Sequence, residues 1–307
     1  QRIIMTTSRR TFIKNSSLTI AGLSMLPAIF KEEKTSAIVG IQLYTIRDDM
    51  KKDPAGTLKK LAAMGYKYVE HAGYRNGKFY GYTIPEFKKL LKENDLKMES
   101  GHSPITAKQW DKTTNDFTDE WKQTITDAAA VGMKYLISPG VDESLCKAKD
   151  DFMHYMDMFN KTGELCKKSG IHFAFHNESY EFNHSIDGTV IYDLILQTVD
   201  KNLVGQQMDI GNMWEPGGRP LSYLKKYPGR FLLMHVKNEL KRDKPEANGN
   251  LYENTLLATG VIPVKEVIDY ARKTGTKYFI IEQEEYQDKT PLECAALDLK
   301  AMKEWGF

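Results

Sequence analysis

The sequence predicts a single (β/α)8 barrel over residues 37–307, and three observations carry that prediction. Apolar runs of strand length alternate with helix-like segments of roughly 10 to 20 residues along this stretch. Eight such strand–helix units in about 270 residues match the size of one barrel. Glycines that stop helices also precede several of the apolar runs, at Gly65, Gly132, Gly170 and Gly275.

The first four units follow one another in chain order. Their expected strands are Ile38–Leu43, Tyr66–Val69, Leu96–Met98 and Tyr135–Ile137. A glycine-rich loop from Gly73 to Gly81 is expected after the second strand. The four expected helices are Pro54–Met64, Pro85–Asn94, Thr118–Val131 and Lys149–Lys168.

The last four units are built in the same way. Their expected strands are Ile171–Phe175, Leu203–Met208, Phe231–Val236 and Tyr278–Ile281. Their expected helices are Asp187–Val199, Leu221–Lys226, Pro263–Lys273 and Leu292–Trp305, with a long polar loop from Asn238 to Thr259. A doubly wound sheet is the alternative, but the glycine fingerprint that cradles a phosphate after the first strand is missing.

Composition excludes several classes of function. The 307 residues carry a net charge of +2 with both signs interspersed, so no nucleic-acid partner and no anionic membrane surface are expected. The three cysteines, Cys146, Cys166 and Cys294, form no CxxC pair and are odd in number. Neither a disulfide framework nor a thiolate metal site is therefore expected.

The first 36 residues have the layout of an export signal and linker. Arg9 and Arg10, followed by Phe12 and Lys14, resemble a twin-arginine signal, and a short apolar stretch spans residues 17–26. That stretch is too short and too rich in Ser and Gly for a stable membrane span. We therefore expect export, to the periplasm of a bacterium; a mobile basic arm is the alternative.

Metal-type ligands stand at the ends of the later strands. Asp209 ends the sixth apolar run, His235 lies in the seventh, and Glu282 follows the eighth. A barrel brings the carboxyl ends of its strands to one mouth, so these residues are expected to hold one divalent ion, Mn²⁺, Zn²⁺, Co²⁺ or Mg²⁺. The fourth ligand comes from the fifth strand, where Glu178 is favoured by a small margin over His176.

Further residues at the predicted mouth are candidates for catalysis and substrate binding. Alongside Glu178 and Glu282, we expect His102 and Lys237 to act in catalysis, with Lys237 neutralising a developing oxyanion. The candidate substrate-binding residues are Gln42, Glu70, His176 and Trp214. Each has a structural alternative, such as a core histidine, a solvated lysine or an aromatic lid.

At these residues the chain resembles the xylose isomerase-like TIM barrels, many of which are called sugar phosphate isomerases/epimerases. The resemblance covers nearly all of the chain from Ile38 onward. The matching stretches are Gly40–Thr45, Gly65–Glu70, Phe175–Phe182, Asp209–Gly211, His235–Lys237 and Ile281–Gln283.

The resemblance implies a ligand set and also shows a departure. Epimerases of this group hold one divalent ion with Glu, Asp, His and Glu from strands 5 to 8, and this carries over to Asp209, His235 and Glu282. At the strand-5 position of the first Glu this chain has His176, and Glu178 stands where many relatives have a second His. Two-base epimerisation by a glutamate pair is therefore in doubt.

The expected function is a divalent-metal-dependent sugar isomerase or epimerase. It would remove a proton next to a carbonyl through an enediolate, acting on a non-phosphorylated small carbohydrate, since sugar phosphates are cytoplasmic intermediates. A keto-sugar lyase or hydratase at the same site is the enzymatic alternative, and a non-catalytic carbohydrate-binding barrel is the alternative from another class. An abasic-site endonuclease, also found in the superfamily, is disfavoured by the seven histidines and the near-neutral charge. The oligomeric state is left open, a homo-oligomer included.

Overall fold

Eight parallel strands close a barrel in chain order in the computed structural model, which describes residues 37–247 and 249–307. Each strand pairs with its sequence neighbours, and the first pairs with the last, Gly40 lying opposite Ile280. The barrel strands are β1 Ile38–Gln42, β2 Tyr68–His71, β3 Lys97–His102, β4 Tyr135–Pro139, β5 His172–His176, β6 Val204–Asp209, β7 Phe231–Val236 and β8 Tyr278–Ile281. The predicted fold class is confirmed, while the predicted signal segment, residues 1–36, lies outside the described residues.

Helices surround the barrel. They are α1 Arg47–Lys52, α2 Pro54–Met64, α3 Ile84–Glu93, α4 Asp119–Val131, α5 Lys149–Lys168, α6 Tyr180–Asn183, α7 Ile191–Thr198, α8 Ile210–Trp214, α9 Pro220–Lys226, α10 Val264–Lys273 and α11 Pro291–Glu304. Within the described ranges, none of them combines the length and the apolar character that a bilayer crossing requires.

Local sequence signals set the helix ends. Pro54 is at the first position of α2, where its missing N–H costs nothing, and the Asp53 side chain accepts a hydrogen bond from the Gly56 N–H. The helix stops at Gly65, whose φ of 103° suits glycine. A glycine with positive φ also ends α4, at Gly132. Strands β2 and β4 begin three residues after these two glycines.

The apolar core has two parts. The larger part lies between the outer face of the barrel and the helices, and it includes Phe159, Phe173 and Phe279. The smaller part fills the inside of the barrel with Ile137, Ala174, Leu233, Tyr278 and Ile280. Toward the carboxyl ends of the strands the interior residues are polar, so the polar site lies directly above this apolar part of the core.

The structure differs from the sequence expectation in several segments. The third strand is β3, Lys97–His102, rather than Leu96–Met98, so His102 lies on the strand and not in the loop after it. The loop after β2 contains a hairpin, Tyr74–Arg75 with Lys78–Phe79, and the long loop after β7 contains another, Asn238–Lys241 with Tyr252–Thr255. Both hairpins follow the carboxyl ends of barrel strands, and the first of them lines a cavity with Tyr74, Arg75 and Lys78.

Candidate metal centre and active site

Asp209, His235 and Glu282 converge at the mouth, each buried. Asp209 ends β6 and is paired in register with His235 on β7, while Glu282 follows the last residue of β8. Their ligand atoms all lie within 4.8 Å of one another. His235 Nδ1 is 2.8 Å from Glu282 Oε2 and 3.6 Å from Asp209 Oδ2. Strand order thus gathers three residues that are far apart in sequence.

These residues fit a divalent ion. Asp209 Oδ1 accepts hydrogen bonds from the Gly211 and Asn212 N–H groups, while the buried Oδ2 accepts no hydrogen bond from the described residues and has the Lys237 ammonium as an ion-pair neighbour at 3.2 Å. Lys237 shares its single charge among Asp209, Glu282 and Glu284, so this oxygen can still coordinate a further cation. One imidazole nitrogen and carboxylate oxygens form a donor set suited to Zn²⁺, Mn²⁺ or Co²⁺, and less specifically to Mg²⁺.

On β5, His176 lies next to Asp209, although the sequence had favoured Glu178 as the ligand from this strand. His176 Nε2 lies 3.8 Å from Asp209 Oδ2 and 3.6 Å from Glu178 Oε1. The His176 side chain is buried, whereas that of Glu178 is 45% exposed toward the mouth. His176 also forms a group with His102 and His235, in which one ring nitrogen of each residue lies within 4.8 Å of the others.

Gln207, two residues before Asp209 on β6, orients two histidines. Its amide nitrogen donates to the Glu70 carboxylate, which can only accept, so the amide oxygen faces the imidazoles. That oxygen is 2.8 Å from His102 Nε2 and 2.9 Å from His176 Nδ1. Because both of these ring nitrogens must carry hydrogen, the lone pair of neutral His176 is on Nε2, the atom that points at Asp209.

The electrostatics keep His176 neutral. Its burial, together with the charges of His235 and His102, holds the His176 pKa well below its usual range. A neutral imidazole with a free Nε2 lone pair is the form that binds a metal ion. His176 is therefore equipped as the β5 ligand, with Glu178 next to it and nearer to solvent.

Glu70 is a buried acceptor shared by five side chains. It receives hydrogen bonds from Gln42 Nε2 at 3.0 Å, Gln207 Nε2 at 2.9 Å and His235 Nε2 at 2.6 Å, and it is also contacted by Ser100 Oγ and His102 Nε2. Burial opposes the charge of Glu70, but His235 and His102 outweigh it and hold its pKa well below the usual range. A carboxylate behind a histidine is the usual support of a metal-binding imidazole.

Lys237 is buried among carboxylates. Its Nζ lies 3.2 Å from Asp209 Oδ2, 2.9 Å from Glu282 Oε2 and 2.7 Å from Glu284 Oε1. Burial works against its charge, but Asp209, Glu282 and Glu284 raise the Lys237 pKa well above the usual range. The ammonium therefore persists at neutral pH and compensates these carboxylates, while Lys237 itself is buried and is not part of the described wall of the mouth cavity.

Two carboxyl groups at the mouth have opposite protonation. Burial raises the pKa of Glu178 to about 8, although solvent reaches part of its side chain, and Asn212 Nδ2 donates to its Oε2 at 2.6 Å. Lys237 and His235 overcome the burial of Glu282 and hold its pKa well below the usual range. Near neutral pH one group is a proton donor and the other a proton acceptor.

These groups line a cavity of about 310 Å³ at the mouth. Its walls include His102, His176, Glu178, Glu282 and Glu284, together with Tyr44, Ala72, Pro104 and Pro139. Such a volume suits a small ligand. Most of its polar groups are those that the sequence had placed at the ends of strands.

Three predicted substrate-binding residues lie elsewhere. Gln42 and Glu70 are fully buried beneath the cavity and are not part of its described wall. Trp214, at the end of α8, lies under the Arg219 guanidinium at 4.2 Å and does not line the cavity. Gln42 and Glu70 are therefore placed to act through the residues above them.

The sequence reasoning missed Gln207 and Ser100. Side chains two residues apart on a strand share a face, so Gln207 follows the direction of Asp209, and Ser100 that of His102. This spacing was the available signal, but neither residue is a metal or catalytic type by itself. Both were overlooked because their role is to orient other residues.

Comparison with known proteins gives consistent results. The sequence profile of the xylose isomerase-like TIM barrel family matches residues 58–305. Among curated proteins, the chain is 24% identical over 277 residues to an inosose dehydratase from Clostridium perfringens, covering 80% of this chain and 88% of that protein.

Solved structures share the fold. A sugar phosphate isomerase/epimerase from Parabacteroides distasonis superposes with a TM-score of 0.71 at 26% identity, covering 88% of this chain and 98% of that one. The IOLI protein, whose crystal structure contains a zinc atom, gives a TM-score of 0.66 at 14% identity, with coverages of 87% and 97%.

Proposed function

Because this chain belongs to the xylose isomerase-like TIM barrel family, we propose that it is a metal-dependent enzyme that removes or adds water next to the carbonyl of a cyclic keto sugar. The substrate class is a small polyhydroxylated ketone. This places the lyase or hydratase ahead of the isomerase or epimerase that the sequence had favoured.

The observation that carries the proposal is the presence of two carboxyl groups, Glu178 and Glu282, in one cavity beside the metal-type cluster. Glu178 and Glu282 both line the mouth cavity, and their pKa values are displaced in opposite directions. Elimination of water needs a base for the proton on carbon and an acid for the departing hydroxyl. The name of the inosose dehydratase relative supports the same order.

Asp209, His235 and Glu282 would hold the divalent ion, with His176 as the ligand from β5. When bound, such an ion polarises a carbonyl and supports the charge that develops as the neighbouring carbon loses its proton. The ionised Glu282 accepts that proton, and Lys237 compensates the negative charge at the cavity floor. Glu178 donates its proton to the leaving hydroxyl, which departs as water. Gln207 and Glu70 keep the imidazoles oriented throughout.

Isomerisation or epimerisation at the same site is the second candidate. It is favoured by the name of the Parabacteroides distasonis protein, which this chain resembles over 98% of that protein's length. The first step is shared, since the proton next to the carbonyl is removed in either case. The two reactions differ in whether the proton returns to carbon or a hydroxyl departs.

The test combines metal content with solvent exchange. The purified full chain is expected to contain one equivalent of a divalent metal, and Asp209→Asn and Glu282→Gln are each expected to lose it, as measured by elemental analysis. With an inosose and a 3-keto-glucoside in D₂O, we expect a product that is lighter by one water, detected by mass spectrometry and NMR. An isomer with deuterium at carbon would favour the second candidate, and a metal-free, inert protein would contradict both.

We also propose that the protein is exported, on the strength of the arginine pair at Arg9 and Arg10 and the apolar stretch after it. In a bacterial host, the full chain should then appear in the periplasmic fraction. A variant in which both arginines are replaced by lysine should remain in the cytoplasmic fraction. Equal distribution of the two proteins would contradict export by this route.

A further inference from the structure

A second cavity opens next to the first and is lined by basic side chains. Its volume is about 770 Å³, more than twice that of the mouth cavity. Arg47 and Lys51 line it from α1, and Arg75 and Lys78 line it from the hairpin after β2. Among its described lining residues there is no carboxylate.

The four cations are not neutralised by ion pairs. Within residues 37–247 and 249–307, Lys51, Arg75 and Lys78 have neither an ion pair nor a side-chain hydrogen bond. Arg47 donates to the Tyr44 and Glu284 carbonyl oxygens and to the Tyr286 hydroxyl, none of which carries charge. Four uncompensated positive charges around a cavity create a positive potential inside it.

Nearby acids are engaged elsewhere. Hydrogen bonds from Thr83, and to a smaller extent the charge of Lys78, lower the pKa of Glu86. The Glu86 carboxylate accepts those hydrogen bonds from Thr83 and caps α3. Asp127 accepts a hydrogen bond from the Tyr74 hydroxyl and another from the Gln123 amide. Neither carboxylate lines the cavity, and its described lining residues include no acidic side chain.

The two cavities share part of their walls. Tyr44, just after β1, and Ala72, just after β2, line both of them, and Tyr44 is 43% exposed. The two cavities are therefore adjacent at Tyr44 and Ala72, and we take a substrate to reach from one into the other past the exposed Tyr44 ring. Tyr74 and Tyr80 offer aromatic surface within it.

We propose that the basic cavity is an anion subsite, which binds an oxyanion group carried by the sugar substrate; for an exported protein a carboxylate or sulfate is expected ahead of a phosphate. This inference rests on the proposed function and specifies its substrate class: a keto sugar that carries an acidic group, which binds more tightly than the neutral keto sugars that the site also processes. Guanidinium and ammonium groups bind such oxyanions by charge-assisted hydrogen bonds. Helix α1 and the hairpin after β2 then select the substrate, and the metal-type cluster performs the chemistry.

Calorimetric titration tests the subsite without any turnover. The protein is the full chain carrying Asp209→Asn, freed of metal by chelation, so that an anionic sugar has no ion to bind. D-Glucuronate, glucose 6-sulfate and glucose 6-phosphate are the probes, with glucose as the neutral reference. We expect at least one acidic sugar to bind about tenfold or more tightly than glucose, with a preference that weakens as salt is added. The strongest of the three identifies which oxyanion the site accepts.

Two double variants complete the test. Arg75→Gln with Lys78→Gln is expected to abolish the preference for acidic sugars. Both side chains are exposed on the hairpin, so the fold should be unchanged, and circular dichroism checks this. Lys59→Gln with Lys60→Gln removes two exposed lysines of α2 outside the cavity and should keep the preference. No preference in the parent, or an equal preference in the Arg75/Lys78 variant, would overturn the subsite. Since neither metal nor reaction is needed, failure of the proposed chemistry would be seen separately in the D₂O experiment.

Discussion

At the scale of single residues, our proposal assigns different tasks to His176 and Glu178 at the metal-type cluster. The sequence placed Glu178 slightly ahead of His176 as the fourth ligand, because a carboxylate could serve both as ligand and as base. In the structure, the His176 lone pair points at Asp209, while Glu178 is nearer to solvent with a raised pKa. The two residues are therefore suited to different tasks, metal binding for one and proton donation for the other.

This division of tasks predicts opposite phenotypes at the two positions. His176→Ala should weaken metal binding at least about tenfold, because one of the ligands is lost. Glu178→Gln should keep its metal but lose roughly 10²- to 10⁴-fold in kcat, because it cannot donate a proton. Metal affinity is measured by competition with a fluorescent chelator, and kcat by the dehydration assay. Loss of metal in Glu178→Gln but not in His176→Ala would reverse the assignment.

The residues of the metal-type cluster were predictable because each one ends or follows an apolar run. Asp209, His235 and Glu282 could be assigned to one mouth as soon as the strands were assigned to a barrel. The orienting role of Gln207 could not be predicted, since it depends on the distance between its amide and two imidazoles on other strands. Hydrogen bonds across the lumen leave no periodic trace in the sequence.

At the scale of elements, polarity inside the barrel explains the misplaced third strand. β3 continues through Ser100 and His102, whose side chains contact Glu70 and Gln207 within the lumen. A search for apolar runs stops at Met98, because a strand that faces a polar interior looks like a loop. The β-ladder to β2 and β4, which includes Gly101, continues regardless.

Small hairpins were missed for a different reason. Their strands are only two to four residues long, too short for any alternation of polarity to be visible. The turns did carry a signal: Asn76-Gly77 and Asp187-Gly188 have positive φ at both positions, as two-residue hairpin turns require. The Tyr74–Phe79 hairpin, and a further one that pairs Ser185–Ile186 with Thr189–Val190, could thus have been predicted from these dipeptides.

The packing of α11 leads to a pH-dependent prediction for stability. Asp298 Oδ1 accepts a hydrogen bond from the Leu257 N–H, which links α11 to the segment after β7, while Oδ2 is buried without a partner in the described part of the chain. Burial raises the pKa of Asp298 to about 7, against 3.8 for the ordinary carboxyl. Between these values the folded state holds a proton that the unfolded state has lost, so this residue lowers stability as pH rises from about 4 to about 7.

Asp298→Asn should remove that loss. The amide oxygen can still accept from Leu257, but the side chain cannot ionise, so we expect the variant to be more stable than the parent near about pH 8 by on the order of 1 kcal/mol or more. Urea unfolding of both proteins near about pH 5 and about pH 8 measures the difference. A difference that stays constant over this range would show that Asp298 does not titrate as described.

At the scale of the whole molecule, the barrel mouth concentrates negative charge that the net charge of +2 conceals. Four carboxylates lie there in the described part of the chain, those of Glu70, Asp209, Glu282 and Glu284. Beside them lie the Lys237 ammonium and the His235 imidazole, whose pKa the Glu282 and Glu70 carboxylates raise against its burial. A bound divalent ion would balance this excess. The fold and its metal-binding state should therefore be coupled.

This coupling predicts a shift in thermal stability. At about a hundredfold excess of metal over its Kd, binding to the folded state alone adds about 2.7 kcal/mol, equivalent to roughly 5–10 °C in Tm for a domain of this size. Differential scanning calorimetry compares the chelated protein with and without added Zn²⁺ or Mn²⁺. Asp209→Asn is the control and should show little shift. An equal shift in both proteins would mean that the ion binds elsewhere.

The shared acceptor at Glu70 has a consequence for anyone who redesigns this protein. Its partners come from β1, β3, β6 and β7, so replacing any one of them removes a contact from a buried carboxylate and alters a network that the other partners share. Mutational libraries aimed at a new substrate should leave Glu70 and its partners intact and vary the rim, at Tyr44, Ala72 and the Arg75–Lys78 hairpin. Evolution faces the same constraint, which makes the rim the part of the barrel where new specificities are easiest to acquire.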